Sequence, residues 1–251
     1  MKKEIGKISK WMKKYLDNSG CKGYVVGLSG GIDSAVVLSL CCKAVGKENV
    51  IAMSMPCNSS KDSEEDAQAL TDNLGMVLII NPIENIYNLT LKNFSFKRDI
   101  ENFNLIQGNL KARLRMVQLF VLANKLNYLV AGTSNKSEQS IFYGTKFGDM
   151  ACDISPISHI YKTDIYKMAA LMPEIPENIL KKDPSADLWP GQKDTDEIGM
   201  SYEKLDQILK ALEEKNSKEL DKFNIEDIEK VQNRIKKGSH KGKMPVEYKE
   251  K

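Results

Sequence analysis

The sequence predicts an α/β fold, an open parallel β-sheet covered by helices, and three observations carry that expectation. Four short apolar runs, residues 24–28, 50–55, 76–80 and 128–131, are continuous rather than alternating, as strands buried on both faces are. Between them lie stretches with helical periodicity, residues 34–45, 63–74 and 83–127, the last expected to divide at Gly108. The resulting order, β-α-β-α-β-α-β, is what right-handed crossovers wind into a single open sheet.

Taken in order, residues 1–18 come first. Ile5, Ile8, Met12, Tyr15 and Leu16 recur there at helical spacing among lysines, which predicts a surface helix rather than a signal-peptide core. The strand and helix units follow. After Gly132 the composition turns to Gly, Ser, Thr, Lys and Asp over residues 133–158, longer and more polar than the usual connection of about 2–6 residues and so expected to be functional. Helices resume at 163–171, 201–214 and 225–237, with Pro173, Pro176, Pro184 and Pro190 punctuating the segment between the first two. One domain spanning residues 1–251 is the expected organisation.

Composition excludes several classes. The 41% hydrophobic and 28% charged residues are ordinary for a globular chain, which argues against disorder or a fibrous repeat. No apolar run approaches the ~20 residues of a membrane span, so no membrane partner is expected. A net charge of +3 with both signs interleaved argues against a nucleic-acid surface. Five cysteines without a CxxC pair or a suitably spaced histidine point to reduced thiols and a cytoplasmic location rather than to zinc.

The chemistry begins where the first strand, ending at Gly27 and Leu28, runs into Ser29-Gly30-Gly31-Ile32-Asp33-Ser34 and then into an apolar helix. Adjacent glycines allow positive φ and close approach of a ligand, and the free N–H groups of a helix start favour an anion. Ser29 and Ser34 add hydroxyl donors, and Asp33 places a carboxylate where Mg²⁺ on a phosphate chain would sit. The pattern is neither a Walker loop nor a dinucleotide GxGxxG.

This hexapeptide resembles the pyrophosphate loop of the N-type ATP pyrophosphatases, which cleave ATP between its α- and β-phosphates. Within that superfamily the stretch from Gly132-Thr133 to Glu138, the run Lys146-Phe147-Gly148-Asp149, and Cys152-Asp153 with Pro156 resemble segments of the NAD synthetases. Tyr161-Lys162-Thr163, Pro184-Ser185-Ala186-Asp187 and Ser239-His240-Lys241 continue the likeness in the same order, from about residue 20 onward. Ser185 stands where that family usually has threonine, and Ser54 where bacterial relatives often have arginine.

The resemblance implies a Rossmann-like sheet of the adenine nucleotide alpha hydrolase kind and a carbon–nitrogen ligase. The implied reaction joins ATP, nicotinic acid adenine dinucleotide and ammonia into NAD⁺, AMP and pyrophosphate, with Mg²⁺ as cofactor. It implies ATP contacts from Gly27, Leu28, Ser29, Gly30, Gly31, Ile32, Asp33, Ser34, Thr133, Lys162 and Ser185. Asp33 and Glu138 would be the metal ligands, and Asp33, Lys162 and Asp149 the catalytic residues, Asp149 near the arriving ammonium. Arg113, Lys146, Asp153, His240 and Lys241 would hold the dinucleotide. A homodimer is implied as well, and the lack of a glutaminase-like region makes free ammonia the expected nitrogen donor. Two alternatives stand beside it: the ATP pyrophosphatase subunit of a GMP synthetase, which shares the loop, and a non-catalytic ATP-binding sensor on a similar sheet.

Overall fold

The computed structural model describes residues 1–58, 60–94, 102–189, 191–245 and 247–248. Four strands, β1 (Tyr24–Gly27), β2 (Val50–Ser54), β3 (Leu78–Ile80) and β4 (Leu129–Ala131), form one sheet in the order β3-β2-β1-β4. All three pairings are parallel, with Val25 opposite Ile51 and Val130. The chain therefore steps outward from β1 to β3 and then returns to the other side of β1. That reversal opens a crevice at the carboxyl ends of β1 and β4, where open α/β sheets bind their ligands.

Alternation along the strands sends side chains into two separate cores. On one face Tyr24, Val26, Val50 and Ala52 pack with α1 (Lys2–Ser19), α2 (Ile32–Val45), α3 (Lys61–Leu74) and α7 (Lys162–Ala169). On the other, Val25 and Met53 meet α4 (Glu84–Asn93) and α5 (Phe103–Leu126). Apolar residues line α2 on nearly every side, from Ala35 to Cys41, because it is wedged between the sheet and α1. No helix among the described residues is long and apolar enough to cross a membrane.

One sequence expectation fails here. Gly108 does not divide the long helical region; it lies buried inside α5, and the observed break between α4 and α5 falls before Phe103. Its role is close approach, since a Cβ there would stand 3.0 Å from Leu188 Cδ1 and 3.2 Å from the Trp189 ring. The apolar stripe on α5 also splits. Leu110 and Leu114 turn inward, whereas Val117 and Val121 are exposed.

The polar stretch after β4 contains one short helix, α6 (Lys136–Ser140). The short helix α8 (Glu177–Lys181) packs Ile179 into the first core beside α2, and a second layer follows: α9 (Asp194–Ile198), α10 (Tyr202–Glu213), α11 (Ser217–Leu220) and α12 (Ile225–Gly238). Leu205, Ile208 and Leu209 of α10 build a small core with Ile141, Tyr161, Ile198 and Val231. This core sets α10 against α6 and α7, directly behind the crevice.

Candidate active site

The glycine turn between β1 and α2 is held open by its own hydroxyls. Ser34 Oγ donates to Gly31 O at 2.9 Å, while the Gly31 N–H donates to Ser29 Oγ at 3.2 Å. Gly30 adopts φ +72°, and a Cβ there would collide with the Ser63 carbonyl at the start of α3. Only glycine serves both demands. The N–H groups opening α2 face the crevice end of β1 without a side-chain cap, as an anion site requires.

Asp33, in the first turn of α2, meets the loop that leaves β4. Asn135, fully buried, donates from Nδ2 to Asp33 Oδ1 at 3.0 Å and caps α6 by accepting the Glu138 N–H at 3.1 Å. Glu138 Oε2 in turn accepts the Asn135 N–H at 3.3 Å, completing a capping box. One asparagine thus fixes both carboxylates. The Asn-x-x-Glu spacing was visible in the sequence, but a helix signature there conceals the bridge to Asp33, which only the sheet topology brings near.

Lys162 enters from α7 between them. Its side chain is 4% exposed, its ammonium is bonded to Asp33 Oδ2 and lies 3.5 Å from Glu138 Oε1, and it sits 5.1 Å above the Tyr202 ring. Burial opposes the charge on Lys162, but Asp33 and Glu138 outweigh it and hold the ammonium above the usual lysine range. Burial and then the Asp33 charge push Glu138 up to about 8. Burial, reinforced by Glu138 and Asp194, raises Tyr202, so its phenol stays a donor and bonds Asp194 at 2.9 Å. Tyr143 donates to the same carboxylate at 3.1 Å. Asp194, Tyr202, Tyr143 and Asn135 are the site residues that motif reading missed.

A second cluster gathers where the loop 142–149 meets the C-terminal segment. Arg113 on α5 reaches Lys146 O at 3.4 Å, Lys146 Nζ donates to His240 O at 2.7 Å, and Lys241 Nζ donates to Gly144 O at 2.8 Å and to Phe142 O at 3.2 Å. Asp149 closes the loop by accepting the Thr145 N–H at 2.8 Å. Four of the five expected dinucleotide residues thus come together. Asp153 is placed differently, for its carboxylate accepts the Val130 N–H at 2.7 Å on the outer edge of β4. Thr133 lies half-buried in the loop after β4. Ser185 is exposed and accepts the Asp187 N–H at 3.0 Å, and Asp187 accepts the Ser60 N–H at 3.2 Å, which ties this segment to the start of α3.

The donor set suits a hard cation that keeps several waters. Asp33 and Glu138 offer carboxylate oxygens, and no group of three or more His, Cys, Asp or Glu forms a closed cage among the described residues. That is the arrangement in which Mg²⁺ is shared between one or two carboxylates and the phosphates of a substrate.

An open parallel sheet with a glycine turn suited to an anion at its switch point, faced by two carboxylates and a lysine, is the adenine nucleotide alpha hydrolase fold. The model of the NAD synthase family matches residues 4–245, and the chain belongs to that family. It is similar to an NH(3)-dependent NAD(+) synthetase of Methanocaldococcus jannaschii, 44% identical over 98% of this chain and 96% of the relative. Among solved structures it resembles NMN synthetase from Francisella tularensis, with a TM-score of 0.86, 32% identity and 98% of both chains covered. It also resembles the NH3-dependent NAD synthetase from Campylobacter jejuni, with a TM-score of 0.85, 37% identity and 99% of both chains covered.

Proposed function

We propose that this protein is an ammonia-dependent NAD⁺ synthetase that adenylates the carboxylate of nicotinic acid adenine dinucleotide with ATP and then exchanges AMP for ammonia. The observation that carries this reading is the buried Lys162 ammonium between Asp33 and Glu138 at the mouth of the phosphate-binding turn. Such a site is built for a triphosphate and its metal, and a sensor that breaks no bond has no need of it.

In the first step a carboxylate oxygen of the dinucleotide bonds to the α-phosphorus as the bridge to the β-phosphorus breaks. Pyrophosphate then departs along residues Gly27 to Ser34, received by the N–H groups opening α2 and by the hydroxyls of Ser29 and Ser34. Asp33 and Glu138 would hold Mg²⁺, which when bound supplies neutralisation of the triphosphate charge. Lys162, kept charged by its neighbours, follows the negative charge as it moves onto the leaving group. Thr133 and Ser185 give hydroxyl contacts to ATP. In the second step ammonia bonds to the acyl carbon, AMP leaves with its oxygen, and Asp149 takes up the proton shed by the nitrogen.

Arg113, Lys146, His240 and Lys241 hold the dinucleotide, a role supported by their convergence on the loop 142–149; Asp153 acts from the edge of β4. A homodimer is supported by the apolar side chains left exposed on α5 and β3, among them Leu105, Val117, Val121 and Ile80.

The likeness to an NMN synthetase favours one competing acceptor, the mononucleotide acid. The test is product identity. Mg·ATP and ammonium are supplied with either the dinucleotide or the mononucleotide acid, and with glutamine in place of ammonium as a control. NAD⁺ with AMP, at a kcat/KM well above that for the mononucleotide, is expected. The mononucleotide amide as the preferred product overturns the choice of acceptor, and ATP binding without AMP formation overturns the ligase.

A further inference from the structure

Behind the Asp33, Glu138 and Lys162 site lies a carboxylate that the reaction does not use. Asp206 on α10 is 1% exposed, and its hydrogen-bond partners are uncharged. One of its oxygens accepts the Ser137 hydroxyl, and the other accepts the Thr163 N–H at 3.0 Å. Ser137 Oγ in turn accepts the Lys162 N–H at 2.8 Å, and Ser137 itself is buried. A buried carboxylate is costly unless its lone pairs are satisfied, and here two donors and the positive end of α7 satisfy them.

The placement matters more than the bonds taken singly. Ser137 precedes Glu138 on α6, and Thr163 follows Lys162 on α7. A single side chain from the C-terminal helical layer therefore grips both segments next to their functional residues. Apolar packing of α10 could bring these helices together but could not set their rotation relative to one another, because dispersion contacts are non-directional. Hydrogen bonds from one fixed carboxylate can.

We propose that Asp206 is a positioning residue: acting through Ser137 and Thr163, it fixes the mutual orientation of α6 and α7 so that Glu138 and Lys162 reach Asp33 together. This rests on the roles proposed for Glu138 and Lys162. Asp206→Asn keeps the shape but replaces two charge-assisted bonds by neutral ones: the amide oxygen still accepts from Thr163, while the amide nitrogen donates to Ser137 Oγ and so reverses that hydrogen bond. The expected result is a kcat about 10–100-fold lower and a raised half-saturating Mg²⁺ concentration, with KM for the dinucleotide within about 2-fold, since misplacing a reacting group by a fraction of an ångström costs that order of rate. Ser137→Ala should act alike, and the double variant should be no worse than Asp206→Asn alone, because both cut one connection. Leu209→Ala, on the same helix and 3% exposed, lowers the melting temperature without moving the Mg²⁺ dependence.

The inference is overturned if Asp206→Asn only lowers the melting temperature, as Leu209→Ala does, or if the two polar substitutions add. Should the unaltered protein form no amide at all, the proposed reaction fails, and Asp206 is then judged by amide hydrogen exchange alone. Faster exchange at Lys162 and Thr163 in Asp206→Asn supports the tie; unchanged exchange there refutes it.

Discussion

Asp33→Asn is the substitution that separates the stability of the site from its chemistry. The change is nearly isosteric and leaves the Asn135 contact a hydrogen-bonding partner, yet it removes the negative charge that Asp33 sets against Lys162. Stripping a buried cation of its only partner costs about 3–5 kcal/mol. Here Glu138 remains 3.5 Å away, an attraction of about 5 kcal/mol at an effective dielectric of ~20. With Asp33 neutral, Glu138 also loses the negative neighbour that helps to keep it protonated, so it ionises and takes over the lysine. The net loss of stability is therefore expected to be only ~1–2 kcal/mol, or about 2–8 °C in melting temperature for a chain of this size. Activity has no such understudy. If Asp33 holds the metal as proposed, losing its charge should lower kcat/KM for ATP by about 10³-fold, ~4 kcal/mol of transition-state stabilisation. Differential scanning calorimetry beside a steady-state assay of AMP release measures both. Near-normal turnover would refute the role given to Asp33, and a melting temperature more than ~15 °C lower would refute the compensation by Glu138.

Asn135→Ala removes the cap of α6 and the bridge between the two carboxylates, so a loss of ~1 kcal/mol in denaturant unfolding should accompany at least a ~10-fold fall in kcat. Because Glu138 is pushed up to about 8, it carries a proton in the metal-free protein below that pH, and this proton must leave when Mg²⁺ binds. Mg²⁺ affinity should accordingly weaken as pH falls below about 8, by at most ~10-fold per pH unit, and level off above it. Calorimetry in buffers of different ionisation enthalpy should count about one proton released near pH 7, and a count of zero refutes the shift. Val121 is 60% exposed on α5, so Val121→Asp should leave the monomer fold intact while dissociating a homodimer in sedimentation velocity. An unaltered sedimentation coefficient would remove α5 from the interface.

Much of this protein is legible in the chain itself. The strands were found because burial on both faces demands uninterrupted apolar runs, and residues 24–28 and 50–55 differ by one residue at their ends from the observed β1 and β2. The turn Ser29 to Ser34 was legible because its strand, glycines and helix start are contiguous, and local geometry suffices to build an anion site. Gly108 misled, since a glycine inside a helix can mark either a break or a close contact, and only the packing of Leu188 and Trp189 decides. The tertiary structure decided what lies across from what. Asp33 and Asn135 are 102 residues apart, and Ser137 and Asp206 are 69 apart. Both pairs meet because β4 returns to the free side of β1 and because α10 packs behind the crevice that this reversal opens. Sequence spacing records the chemistry of each contributor; the order of strands in the sheet makes them neighbours.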